Sequence, residues 1–422
     1  MSWAVYSDYV ESCVPWFGTL PSHWTTPHLG HIVECLDAIR IPLNASERAE
    51  VPGNVPYWGA NGVVGSVDRP LVDGELVLLG EDGAPFTDKT KEKAFYVNEP
   101  IWPNNHIHVL RPSAQVVPQF LTHALNATEY NWFIEGSTRE KLTQGKMLSI
   151  PIAMPPIREQ RSIVRFLDSE TAKIDALIGK QEQLIATLRE DRAATIAHAV
   201  TKGLDPHVEL RDSGVEWMGT VPSHWRVRQI KWGSPVKRGA SPRPIDDPKY
   251  FDDEGEWSWV RIADVSSSAG RLHETTQRLS ELGSSLSVKL QPGSLFVSIA
   301  GTVGKPCITE IQACIHDGFV YFPTLDIEPE YLYRIFEAGE CYKGLGKMGT
   351  QLNLNTDTIG SIHIPIPQRG EQQAILSDLD DRCEKIDALI AKSTGMIATL
   401  REYRSALITN AVTGKIDVRE AV

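Results

Sequence analysis

Glu159-Gln160-Arg161-Ser162-Ile163-Val164-Arg165-Phe166-Leu167-Asp168 opens a stretch, Glu159 to Thr201, that returns from Glu371 to Thr413. The offset is 212 positions, and 24 of the 43 aligned residues are identical without a gap. Lys173 to Ile178 matches Lys385 to Ile390, and Ala186 to Glu190 matches Ala398 to Glu402. A second duplication lies upstream, where Trp16-Phe17-Gly18-Thr19-Leu20-Pro21-Ser22-His23-Trp24 returns 201 positions later as Trp217 to Trp225. Between these anchors the halves diverge almost completely. The chain is therefore two copies of one unit, with shared parts doing something common and divergent parts doing something different.

The shared stretch reads as a long helix. Ile163, Leu167, Ile174, Ile178, Ile185 and Leu188 recur at spacings of three, four and seven, and Ile375, Leu379, Ile386, Ile390, Ile397 and Leu400 copy them. Apolar residues at that spacing with charges between them form a coiled-coil seam. Proline marks both starts (Pro155-Pro156 and Pro367), and Gly203 and Gly414 mark the stops. Some 40 residues at 1.5 Å each make a rod of roughly 60 Å. Neither copy buries its stripe alone, so the two are expected to pair. A pseudo-two-fold repeat makes the pair antiparallel, with a globular domain at each end.

The divergent parts read as short strands broken by turns. Glu75 to Leu79 and Ile107 to Leu110 are strand-like in the first half, as are Ser258 to Ile262, Ser294 to Ala300 and Gly318 to Pro323 in the second. Pro118 to Tyr130 and Pro329 to Ala338 read as short helices in matching places. The expected fold class is α+β, with two mixed domains of mostly antiparallel sheet joined by the two long helices. The boundaries fall at 1–154, 155–203, 204–364 and 365–422.

Composition excludes several classes. A chain of 422 residues, 41% hydrophobic and 23% charged, is an ordinary soluble protein of more than one domain. No apolar run reaches the roughly 18 residues of a membrane span, and no signal segment opens the chain, so a cytoplasmic location is expected. Six cysteines without a Cys-x-x-Cys pair point to reduced, buried thiols. A net charge of −12 argues against coating nucleic acid by bulk electrostatics. Yet Arg226 to Lys249 holds seven basic residues against Asp246 and Asp247. Such a face suits a DNA contact made with help from partners.

Catalytic constellations are missing. No adenine-methyltransferase Asn/Asp-Pro-Pro-Tyr/Phe segment, nucleophile elbow or His-Glu-x-x-His is present. Ala300-Gly301-Thr302-Val303-Gly304-Lys305-Pro306 lacks the first glycine of a phosphate loop and has proline at the magnesium-binding position. It reads instead as a tight turn carrying a cation. His106 and His108 share a strand face without further metal ligands in view, so a structural role is expected. His23 and His224, in the repeated Pro-Ser-His-Trp, read as packing or capping groups.

Several turns carry groups suited to base edges and phosphates. Tyr57 and Asn61 sit in a glycine-bearing loop, and Arg139, Lys141, Gln144 and Lys146 precede the first long helix. Lys347, Gln351, Asn353 and Asn355 occupy the matching place in the second half. Lys237, Arg238, Arg243 and Lys305 complete the candidate DNA-binding set. Asn and Gln read adenine, Arg reads guanine, and Lys serves phosphates.

On these residues the chain resembles the specificity (S) subunit of type I restriction–modification systems, the HsdS family. The carrying motifs are Pro155 to Asp168 with its copy Pro367 to Asp380, the two helix repeats, Gly-Thr-x-Pro-Ser-His-Trp, and Gly349-Thr350-Gln351-Leu352-Asn353-Leu354-Asn355. The resemblance covers essentially the whole chain. It implies two target recognition domains, each reading one half of a split, asymmetric site in double-stranded DNA. The paired helices would set the gap and dock two methyltransferase (M) subunits. Those would use S-adenosylmethionine to methylate a flipped adenine, and motor-nuclease (R) subunits would join for cleavage. The chain itself would catalyse nothing and hold no cofactor or metal. The competing readings are a coiled-coil scaffold that binds only proteins and an enzyme with unrecognised active residues.

Overall fold

The computed structural model describes residues 3–136, 140–345 and 354–420. The two repeats form helices Ile157–Lys202 and Arg369–Val412, each continuous over 40 residues or more. Both stop where the sequence indicates, because Gly203 (φ 75°) and Gly414 (φ 66°) take the left-handed conformation that ends a helix. The chain divides into two compact units, Met1–Gln183 with Ser393–Val422, and Leu184–Lys392. Each unit thus combines one globular segment with part of both long helices.

In the first unit a four-stranded antiparallel sheet runs in the order Val33–Cys35, Ile107–Pro112, Glu75–Gly80, Ala94–Asn98. Alternation is lost in Glu75–Gly80, where every residue after Glu75 is buried, as expected of an inner strand covered on both faces. Helix Pro118–Asn126 packs Phe120, Leu121 and Leu125 into the core beside it, starting on the proline tolerated in a first turn. A smaller sheet pairs Gly62–Val67 antiparallel and Trp102–Pro103 parallel with Val55–Gly59. The long helices enter the same core. Ile163, Leu167 and Ile174 of the first lie with Leu407, Ile408 and Val412 of the second. They run antiparallel, for Asp175 pairs with Arg404 at 3.1 Å and Glu182 with Arg401 at 3.3 Å.

The second unit holds a five-stranded sheet, ordered Lys237–Arg238, Phe319–Tyr321, Leu295–Ser298, Pro306–Thr309, Arg271–Leu272, and antiparallel but for its last pair. A four-stranded sheet runs Gln277–Leu279, Trp257–Val260, Ala313–Ile315, Val288–Leu290, with one parallel pair in the middle. Helix Pro329–Ala338 buries Tyr331, Leu332, Ile335 and Phe336 against Ile196 and Val200 of the first long helix and Ile375 and Leu379 of the second. The seam residues are buried or half-buried throughout; Ile178, Leu188, Ile390 and Leu400 are the half-buried ones, beside Ile185, Ile386 and Ile397.

One expectation needs correcting. Cys13 is exposed and Cys35 half-buried, because they lie on a short N-terminal turn and an edge strand; Cys307, Cys314, Cys341 and Cys383 are the buried thiols.

Candidate nucleic-acid interface

The duplicated motifs are joints between each globular segment and its helices. Gln160 opens the first long helix, accepts from Val117 N at 2.8 Å and donates to Pro155 O at 2.9 Å. Gln372 does the same with Glu328 N and Pro367 O at 3.1 and 3.0 Å. One amide thus holds the start of the short helix to the start of the long one. The neighbouring Glu159 accepts from Tyr6, His23 and Trp24, and Glu371 accepts from His224. At the far helix ends, Lys415 donates to Phe17 O and Thr19 O, and Lys202 to Met218 O and Thr220 O. Each Pro-Ser-His-Trp turn is therefore clamped from both sides. Its histidine is a positioning group, as the sequence suggested.

The divergent loops are what remain for a ligand. In the first unit the hairpin Val55–Gly59/Gly62–Val67 presents an exposed edge strand with Val63 and Val64 more than half exposed. Asn61 stands exposed at its turn, one amide proton on Gly83 O at 3.1 Å. An exposed edge carrying apolar side chains is a contact surface. Tyr57 is a correction. It is 1% exposed, and its hydroxyl exchanges hydrogen bonds with the Leu43 backbone, so it belongs to the core and cannot reach a base.

Lys141 and Gln144 flank a buried ionic hub. His108 Nδ1 meets Asp37 at 2.6 Å and its Nε2 meets Leu142 O at 2.9 Å, while Lys141 pairs with Glu81 at 3.2 Å. Burial raises the Asp37 pKa, but hydrogen bonds from His108 and Val109 and the Arg40 charge outweigh it and hold the carboxyl low. Among the described residues Asp37, Glu81 and His108 are the trio close enough to share a metal ion. Arg40 already donates to Glu81 at 2.5 Å and lies 3.3 Å from Asp37, supplying the positive charge there. The trio anchors Lys141 and Leu142. His106 is tied likewise to Asp82 at 2.5 Å. Gln144 and Lys146 are exposed on the short helix Gln144–Leu148, with Gln144 Nε2 3.2 Å from Cys35 Sγ. Arg139 lies outside the described residues.

In the second unit Asp317 organises the basic cluster. Arg238 donates to its carbonyl, Arg243 to its carboxylate at 2.8 Å, and Ser241 to the same carboxylate at 3.1 Å. Burial raises the Asp317 pKa, but Ser241 and the two arginines win and keep it ionised. Lys237 is exposed on the edge strand beside them. Two expectations fail here. Lys305 turns inward, its ammonium on Ser266 O and Ser268 O at 3.0 and 3.1 Å, so it is not a free cation. Asn355 caps helix Thr356–Ser361, accepting from Thr358 N at 2.8 Å, which commits its amide oxygen to the backbone. Lys347, Gln351 and Asn353 lie outside the described residues.

Sequence reading missed one surface. Leu177, Met396 and Tyr403 in the first unit, and Leu184 and Leu389 in the second, are large apolar side chains left 44–50% exposed on the long helices. Leu177, Leu184, Leu389 and Met396 each stand one residue before a seam position, a spacing that was visible in the sequence. Apolar residues there exceed what the helix pair itself buries.

The profile of the type I restriction modification DNA specificity domain matches residues 21–186 and 222–393. A Haemophilus influenzae protein described as a type I restriction enzyme specificity subunit is 25% identical over 356 residues, covering 83% of this chain and 86% of that one. The specificity subunit of the Escherichia coli type I enzyme EcoprrI is 29% identical over 126 residues, 30% of either chain. Among solved structures, a chain from work on assembly and conformational transition of the type I restriction–modification system superposes with a TM-score of 0.69. It is 18% identical and spans 93% of this chain and 98% of that one.

Proposed function

Because the chain belongs to the type I restriction–modification DNA specificity family, we propose that its two divergent globular segments each read one half of a split DNA site. The observation that carries this is the contrast between near-identical joints and unlike loops. Shared residues such as Gln160 and Gln372 hold the same backbone atoms, while the exposed surfaces beside them have nothing in common. Selection for one fixed frame and two different readers produces that pattern, and an asymmetric target follows from it. Phosphates would be met by Lys146 and Lys237, and base edges by Asn61 with Val63 and Val64, whose methyls suit thymine.

The long helices then act as a spacer. Half-sites read from one side of a duplex lie about one helical turn, roughly 34 Å, apart, and a helix pair of fixed length fixes the number of intervening base pairs. The exposed apolar residues at equivalent places, Leu177 with Leu389 and Leu184 with Met396, fit two copies of one partner. Those partners would be the methyltransferase subunits, which would bring S-adenosylmethionine, methylate adenine and supply part of the phosphate clamp. Motor-nuclease subunits would add cleavage. The reading gives this chain recognition and no chemistry of its own.

The test is to express the chain with its neighbouring methyltransferase genes and map modified adenines across the host genome. Modification at one bipartite motif is expected. An unmodified genome from a demonstrably assembled complex overturns the proposal in favour of a protein-binding scaffold. Methyl transfer by the chain alone would make it an enzyme.

A further inference from the structure

A cavity of about 600 Å³ opens in the second unit next to the Asp317 cluster. Phe251, Trp259 and Ile245 give it aromatic and aliphatic walls, and Asp246, Arg261, Gln277 and His316 give it polar ones. Its volume lies in the range of small-molecule sites. The buried Trp259 ring packs against His316 at a centroid distance of 5.9 Å, tilted by 49°, and backs the half-buried Phe251 and His316.

The polar groups are notable for what they leave unused. His316 Nδ1 accepts from Gly318 N at 2.8 Å, so the neutral ring carries its proton on Nε2. Burial pushes the His316 pKa down, with Arg238 acting the same way against Asp317, which keeps the ring neutral near pH 7. The Arg261 Nε is buried and has no partner, the Asp264 carboxylate standing 3.9 Å away. Gln277 is half-buried at the same wall. Buried donors are rarely left open unless something fills them. Next to these walls Arg243, two residues before Ile245, is already paired with Asp317, the residue after His316.

An aromatic wall, an unfilled donor and an amide at the edge describe a ligand with a planar π face and a hydrogen-bonding rim. We infer that this cavity receives one nucleobase that has left the stack of the bound DNA, lying against Phe251 and His316 and read at its edge by Gln277 and Arg261. A base edge in a groove is met by a convex element, whereas a concave aromatic pocket accepts a base only after extrusion. This rests on the DNA-reading function proposed above and adds a second way of reading, confined to one half-site.

The same chemistry is offered by a free nucleotide, and the experiment separates the two. The assembled complex is bound to duplexes carrying its methylated motif, with one photoreactive base (a halogenated pyrimidine or an azidopurine) moved through both half-sites. Irradiation should attach a single position, distinct from the methylated adenine, to peptides containing Phe251, Trp259 or His316. Gln277→Leu should cut that attachment and specific affinity about tenfold, the scale for losing one hydrogen-bonded base edge. Phe251→Leu should do the same; because Phe251 also packs on the Trp257 and Trp259 core, Gln277→Leu is the deciding variant. Specific binding with no position attached to these peptides overturns this inference alone. So does attachment that deoxyadenosine or thymidine monophosphate abolishes at the concentration of the duplex, which would make a free nucleotide the occupant. Absence of any motif-specific binding by the unaltered complex overturns the DNA-reading function itself.

Discussion

The two helix joints use the same motif and close it differently. In the first unit Glu159, almost fully buried, accepts from Tyr6 at 2.6 Å, His23 at 2.9 Å and Trp24 at 3.1 Å. In the second, Glu371 is about a third exposed and accepts from His224 at 3.0 Å, while the Trp225 indole nitrogen is buried with no partner. Two donors are missing: Trp225 is present but does not reach Glu371, and Tyr6 lies upstream of the duplicated segment, where its positional counterpart is His207. Duplication therefore preserved shape, and the polar closure of each joint was left to residues outside the repeat. The first joint should be the stronger of the two, and the more exposed to damage.

That difference can be broken directly. Glu159→Ala strands three donors in a buried site and should cost about 3–4 kcal/mol in the first unit, whereas Glu371→Ala should cost about 1 kcal/mol in the second. Hydrogen exchange resolved by unit, read alongside urea unfolding, measures both; equal costs would deny the asymmetry. The helix stops come next. A Cβ on Gly414 would lie 2.5 Å from Pro21 Cδ, and one on Gly203 would lie 3.2 Å from Trp225 Cζ2. Both glycines have positive φ, so Gly414→Ala should cost about 2–3 kcal/mol and Gly203→Ala about 1–2 kcal/mol.

A smaller effect is pH-dependent and belongs to the first unit. Burial, helped by Arg404, pushes the His123 pKa down to about 4. The unfolded chain takes up its proton near pH 6.5 and the folded one does not, so stability is whole above pH 6.5 and falls between there and about pH 4. By pH 5 the loss should be on the order of 2 kcal/mol. Melting curves at pH 7 and pH 5 should separate for the native chain and draw together for His123→Gln. Smallest is the phosphate term. Lys237→Gln should lower the salt slope of DNA binding by about one, with the same methylated motif.

The frame was legible in the sequence and the surfaces were not. A heptad stripe kept from Ile163 to Leu188 and copied from Ile375 to Leu400 leaves one interpretation, and the helices begin and end where proline and glycine indicate. The short helix Pro329–Ala338 also falls where its pattern placed it. Side-chain direction is a different matter. Tyr57, Lys305 and Asn355 have the chemistry of DNA contacts, yet one is packed in a core, one is folded onto backbone carbonyls and one caps a helix. For Asn355 the signal was present, since Asn before Thr-Asp-Thr is a helix start. The lysine clamps show the limit from the other side. Lys202 and Lys415 sit in Thr-Lys-Gly and Thr-Gly-Lys, out of register in any alignment, and still bind the same pair of carbonyls. The cavity beside Asp317 joins residues up to 71 positions apart and leaves no local pattern.

The central claim is that the unlike segments read separate halves of one site while the joints merely hold them. The most direct measurement is the methylated motif of a complex in which residues 25–152 are replaced by the matching segment of another family member, with the Glu159 and Lys415 joints kept. The motif should change in one half only, with the other half and the gap unaltered. A change in both halves, or none in an assembled and active complex, would contradict it.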